Sequence, residues 1–257
     1  MSDFNKADLG ALRQKLALIE RGGRGELPAL PFGVAAIDRM LPGGGLARGA
    51  LHEVLGLGAA AEEAAEGAGF LAGILARLEP PRPVLWCSRR GDLHAPGLMR
   101  HGLAPERLIL ARAQSEADLL YAVEEGLKCR DLAAVVGEVE ALPLAASRRL
   151  QLAAEASGVA VFALRRPRRA LGVGEEAQPT AALTRWRIAA VPAPVRAETA
   201  SAPGLGRRVW LAELLRCRGG MPGRWLVEAC DATGHVHLAQ TLADRPAAAG
   251  ERRRAFG

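Results

Sequence analysis

Leu51-His-Glu-Val-Leu55, followed by Gly56-Leu-Gly58 and then by Gly67-Ala-Gly69-Phe70 at the head of an apolar run, has the order strand, glycine-bearing loop, helix. This is the layout of a phosphate-binding loop. A competent loop needs G-x-x-x-x-G-K-[ST], in which backbone N–H groups cradle the phosphates, a Lys reaches the β and γ oxygens, and a hydroxyl holds Mg²⁺. Here Ala68 and Gly69 stand where the Lys and the hydroxyl belong, and the interval from Gly56 to Gly67 is too long. Glu62, Glu63 and Glu66 lie in that interval and repel an anion at a helix N-terminus. The pattern is an NTPase architecture kept for something other than NTP hydrolysis.

The same alternation continues outward from this loop. Apolar runs at 51–55, 83–87, 108–111, 133–136 and 159–164 read as strands, with helical stretches at 69–78, 116–128 and 144–156 between them. The runs at 132–136 and 159–164 are continuously apolar, as strands covered on both faces are. Strand-helix alternation of this kind predicts an α/β fold with a mostly parallel twisted sheet flanked by helices. After Arg165 the segments 182–191, 207–217, 224–229 and 235–238 read as antiparallel strands, with turns at 219–223 and 231–234.

Three regions are expected: residues 1–25, an amphipathic helix and linker; residues 26–240, the α/β domain; and residues 241–257, a basic tail carrying Arg252, Arg253 and Arg254. Leu9, Leu12, Leu16 and Ile19 recur at helical spacing, and Gly22-Gly-Arg-Gly25 closes that helix.

The chain has 257 residues, 49% of them apolar and 24% charged, which is ordinary globular composition. It shows no membrane-length apolar run and no signal-peptide pattern, so a cytoplasmic location and no membrane partner are expected. Cys87, Cys129, Cys217 and Cys230 are far apart and read as plain thiols. Charge is unevenly placed. Residues 165–257 hold 16 Arg and no Lys against 8 acids, while residues 1–164 hold 18 basic and 20 acidic residues. The excess points to nucleic acid or an acidic protein surface, or else reflects the codon bias of a GC-rich genome.

The order of pieces resembles the RecA-type recombinase core, and more closely its degenerate bacterial relative, the ImuA family of damage-inducible mutagenesis operons. The resemblance covers nearly the whole chain. It is carried by residues 30–38, 41–49 and 51–54 before the loop, by Val84-Leu-Trp-Cys87, residues 96–103 and Arg107-Leu-Ile-Leu110, and by the closing Arg216-Cys-Arg-Gly-Gly-Met-Pro-Gly223, Trp225 and Cys230-Asp-Ala-Thr-Gly234. Departures from an active recombinase agree with the altered loop. Ser88, Arg89 and Arg90 replace the water-activating acid, Glu138 is the one carboxylate at the end of the fourth strand, and Arg165 replaces the γ-phosphate-sensing Gln. No enzymatic activity, cofactor or metal is therefore expected, and Gly56, Gly58, Gly67, Ala68 and Gly69 are a degenerate loop.

The resemblance implies a non-catalytic accessory protein of error-prone translesion synthesis. It would act with an ImuB-type inactive polymerase homologue and, through it, an error-prone DnaE-type polymerase. DNA, RecA or another copy of the chain are further implied partners. The alternatives are an SOS cell-division inhibitor and a RecA-like ATPase with an unusual loop. Arg165, Arg166, Arg168 and Arg169 begin where recombinases place a DNA-contacting loop, and they are candidates for nucleic acid or partner contact, or a solvated basic loop. Leu9, Leu12, Leu16 and Ile19 are candidates for self-association, since recombinases use an N-terminal helix in that way; folding back onto the core is the other reading. His235 and His237 share a strand face but lack a third ligand at suitable spacing. Trp186, Trp210 and Trp225 read as core or sheet-edge packing, or as an interface anchor.

Overall fold

In the computed structural model, residues 29–56, 61–167, 178–191 and 208–239 are described, with 61–64 described by backbone alone. The candidate residues Leu9, Leu12, Leu16, Ile19, Gly58, Arg168 and Arg169, and the tail 241–257, lie outside them. The strands are β1 Leu51–Gly56, β2 Val84–Ser88, β3 Leu108–Arg112, β4 Ala134–Val139, β5 Ala160–Arg165, β6 Thr184–Val191, β7 Val209–Cys217, β8 Gly223–Glu228 and β9 His237–Leu238. They form one sheet in the order β3-β2-β4-β5-β1-β6-β7-β8-β9. Pairings from β3 through β6 are parallel and those from β6 to β9 antiparallel. This is the α/β class read from the sequence, a RecA-like core with antiparallel strands on the C-terminal side.

The helices are α1 Ala35–Asp38, α2 Ala61–Ala76, α3 Ala95–Leu98, α4 Glu116–Gly126 and α5 Leu144–Ser157. Strands β1, β4 and β5 are buried at every residue because helices cover both faces of the sheet. On one face, Leu119 and Val123 of α4 and Leu150 and Ala154 of α5 pack with Leu51, Val135, Val161 and Ala163. On the other, Phe70, Leu71, Ile74 and Leu75 of α2 pack with Val54, Val136 and Phe162. Local chemistry sets the ends of α4 and α5. Ser115 caps α4 in a reciprocal box, its Oγ accepting from the Asp118 N–H at 3.1 Å while Asp118 accepts the Ser115 N–H at 3.1 Å. Gly158, at φ +81°, closes α5.

Aromatic packing ties the lead-in segment to the antiparallel strands. Phe32 lies 5.8 Å from Phe70 and 5.2 Å from Trp186, and Phe70 lies 6.3 Å from Trp210. Trp186 and Trp210 are fully buried, and Trp225 packs on Trp186 at 6.2 Å. Trp186 and Trp210 are core residues, and Trp225 is half-buried against that core.

Helix α2 departs from the sequence reading. It begins at Ala61, well before residue 69, so Glu66, Gly67 and Ala68 are helical rather than part of the loop. Glycine costs about 1 kcal/mol in a helix interior, so a sequence pattern places Gly67 in a loop. Close approach explains its presence. A Cβ on Gly67 would stand 2.9 Å from Leu164 Cδ1, and one on Gly69 would stand 2.9 Å from the His101 ring.

Candidate functional site

Open α/β sheets bind ligands outside the carboxyl ends of their parallel strands, which here are the ends of β1 to β6, with β1, β2, β4 and β5 among them at the centre of the candidate site. With β1 ending at Gly56 and α2 starting at Ala61, only four residues separate them. Counted from Gly56, the positions of the motif's Lys and hydroxyl become Glu62 and Glu63 instead of Ala68 and Gly69. Glu66 has another role than the one expected of it. It is 4% exposed and accepts hydrogen bonds from the Trp210 indole and the Arg208 guanidinium, anchoring α2 to β7.

Glu138, at the end of β4, is engaged on both carboxylate oxygens. Trp86 Nε1 donates to Oε1 at 2.8 Å, and Arg166 Nη1 donates to Oε2 at 2.7 Å. The same guanidinium grips Asp92 in bidentate fashion at 2.7 and 2.8 Å. Its hydrogen bond to Asp92, with the Glu138 charge adding, holds the Arg166 pKa above its ordinary value, and Asp92 is correspondingly lowered by its bond from Arg166. Arg90 Nη2 donates to the Arg166 carbonyl at 3.1 Å, so the turn after β2 is fastened to the end of β5.

A second cluster centres on Glu53 in the middle of β1, which is 0% exposed. It accepts from Arg165 Nη1 at 2.8 Å, Arg185 Nε at 2.7 Å and Thr180 Oγ1 at 3.1 Å. Arg185 also donates to the Gln178 carbonyl at 2.7 Å, and Arg89 bridges Glu140 at 3.0 Å and Glu116 at 3.4 Å. One carboxylate thereby holds Arg165 on one side and Thr180 and Arg185 on the other, the chain ends flanking residues 168–177.

This arrangement corrects the reading of a basic loop starting at Arg165. Arg165 and Arg166 are 4% and 9% exposed and neutralised by buried carboxylates, so neither presents a free guanidinium to solvent. The sequence signal that was missed is Glu53 itself. An acid inside an otherwise apolar strand requires a buried cation or several donors.

His52 is also structural. Its Nδ1 lies 2.8 Å from Thr184 Oγ1 and its Nε2 lies 2.8 Å from the Ala47 carbonyl. Burial, which strips the imidazolium of hydration, pushes its pKa down to about 4. The unfolded chain binds this proton near pH 6.5, whereas the folded chain does not until about pH 4. Stability is thus present above pH 6.5 and lost as pH falls through that window, by about 3 kcal/mol in all. Urea midpoints at pH 7 and pH 4.5 check this, and a His52→Gln chain is expected to lose that part of the slope.

His235 and His237 turn toward Asp231 and Thr233. His237 Nε2 is 3.3 Å from Asp231 Oδ2, and His235 Nδ1 is 2.9 Å from Thr233 Oγ1. Among the described residues no group of three or more His, Cys, Asp and Glu is placed to hold a metal ion. Burial raises the Cys87 thiol to about 11 and the Cys230 thiol to about 12, which suits packing rather than thiolate chemistry. No helix among the described residues is long and apolar enough to cross a membrane.

The nucleotide that a RecA-like fold implies does not fit this donor set. The carboxylate at the end of β4 is occupied by Trp86 and Arg166, and the helix after β1 starts with acids. Fold and site together define a RecA-like α/β protein whose strand ends are closed by arginine-carboxylate clamps. No protein-family model matches the chain. It is 42% identical over 247 residues to Protein ImuA of Caulobacter vibrioides, strains NA1000 / CB15N and ATCC 19089 / CIP 103742 / CB 15, covering 93% of this chain and 100% of each relative. The chain belongs to the ImuA family.

Proposed function

We propose that this chain is a non-catalytic scaffold for damage-induced, error-prone DNA synthesis in the cytoplasm. It acts with an ImuB-type inactive polymerase homologue and, through it, with an error-prone DnaE-type polymerase. Family membership supports the pathway. The observation that carries the non-catalytic reading is the Arg166 guanidinium seated between Glu138 and Asp92, at 2.7 Å from each. A cation built into the chain neutralises the carboxylate that a phosphoryl-transfer site would use to help hold Mg²⁺. What remains useful is a rigid sheet with fixed surfaces.

Deleting the gene is expected to reduce damage-induced mutation to the uninduced level and to leave cell length unchanged. Pull-down of the ImuB-type protein by the purified chain is the matching biochemical result. Undiminished mutation in the deletion strain, together with filamentous cells on overexpression, would contradict the scaffold and indicate a division inhibitor.

A further inference from the structure

Tyr121 on α4 and Leu152 on α5 are each 65% exposed, more than any other large apolar side chain among the described residues. Their exposure follows from helix geometry. Tyr121 is two residues from both Leu119 and Val123, and Leu152 is two residues from both Leu150 and Ala154, so each stands opposite its helix's buried stripe. Helices α4 and α5 are neighbours that cover one face of the sheet, and Arg149 Nε binds Glu124 Oε2 across them at 3.2 Å. The outer surface of this layer is thus a polar face with an aromatic and a leucine set into it.

The charges on that face alternate in a self-complementary way. Along α4 and its C-terminal end run Glu124 and Glu125, then Lys128, whose Nζ binds Glu125 Oε1 at 2.5 Å; along α5 run Arg148 and Arg149, then Glu155, which accepts from Gln151 Nε2 at 2.7 Å. Both helices connect parallel strands on the same side of the sheet and therefore run in the same direction. The Arg149–Glu124 bridge fixes their relative level, which puts acid beside base and then Lys128 near the level of Glu155. A two-fold axis lying along the helices and between them keeps every level while exchanging α4 for α5. It would lay the acidic part of one copy's α4 on the basic part of the other's α5, and Lys128 on Glu155.

We propose that the α4–α5 face is a homodimer interface, occupied by a second copy of this chain with Tyr121 and Leu152 as its apolar anchors. An isologous contact needs a patch complementary to itself, which this charge order supplies. The aromatic and the leucine, large apolar groups within a charged surround, match the composition of interface cores.

Sedimentation at tens of micromolar is expected to show a wild-type dimer. Leu152→Glu, Arg148→Glu and Glu125→Arg are each expected to give folded monomers with unchanged circular dichroism. Mixing Arg148→Glu with Glu125→Arg is expected to restore a dimer, because each reversed charge then faces its opposite while the other half of the interface stays wild-type. A role confined to folding would not produce that rescue. A monomeric wild-type chain, a dimer indifferent to these substitutions, a mixture that stays monomeric, or a wild-type monomer that engages only the polymerase homologue on this face would each overturn the proposal.

Discussion

Replacing Glu53 by alanine is expected to cost about 3–5 kcal/mol of unfolding stability, the effect of removing one member of a buried ion cluster. For a chain of this size that lowers the melting temperature by on the order of 10 °C. The physical cause is the charge left behind. Arg165 and Arg185, 4% exposed each, lose the carboxylate that both contact, and Thr180 loses its acceptor. The effect should reach beyond β1, because the cluster fastens β5 and β6 to β1 from either side through parallel pairings. Glu53→Gln keeps an acceptor without the charge and is expected to cost less than alanine. Urea denaturation checks both, and a loss below about 1 kcal/mol for Glu53→Ala would mean that Glu53 holds no desolvated cations.

Gly73→Ala is expected to destabilise by roughly 1–3 kcal/mol, as overpacking of a well-filled core does. The sign is informative, because in a helix interior that substitution alone favours the folded state by about 1 kcal/mol. The site has no room for the gain. A Cβ at Gly73 would overlap Cys230 Sγ and would lie 2.8 Å from Cys230 Cβ and 3.0 Å from the Gly234 carbonyl oxygen. The sulfur belongs to a short buried side chain, and the carbonyl is backbone in a turn whose own Gly234 is at φ +79°. Either α2 or the 230–234 turn must shift. Removing the sulfur with Cys230→Ala is expected to recover part of the loss, a coupling that a double-mutant cycle in urea measures. Stabilisation by Gly73→Ala would show that helix propensity outweighs this contact.

The layer architecture was legible in the sequence because burial leaves a periodic trace. Continuous apolar runs at β4 and β5 mark strands covered on both faces. Of the clamps at the strand ends, the sequence shows the residues but not their pairing. Gly67 reads as loop because glycine is a poor helix former, whereas a helix pressed against Leu164 selects it for lack of a Cβ. Arg165 and Arg166 were read with Arg168 and Arg169 as one basic run, because a sequence does not display partners 112 and 28 residues away in Glu53 and Glu138. Charge pairing across strands is a property of the folded sheet, not of local composition.

The proposed function rests on arginine-carboxylate clamps having replaced nucleotide chemistry at the strand ends. Its most direct test is the thermal unfolding of the purified chain across a titration of Mg-ATP. A ligand that binds only the native state raises stability by about 2.7 kcal/mol at a hundredfold excess over its Kd. No change in melting temperature up to millimolar Mg-ATP is the expected result. A melting temperature that climbs steadily with the logarithm of Mg-ATP concentration would contradict the claim.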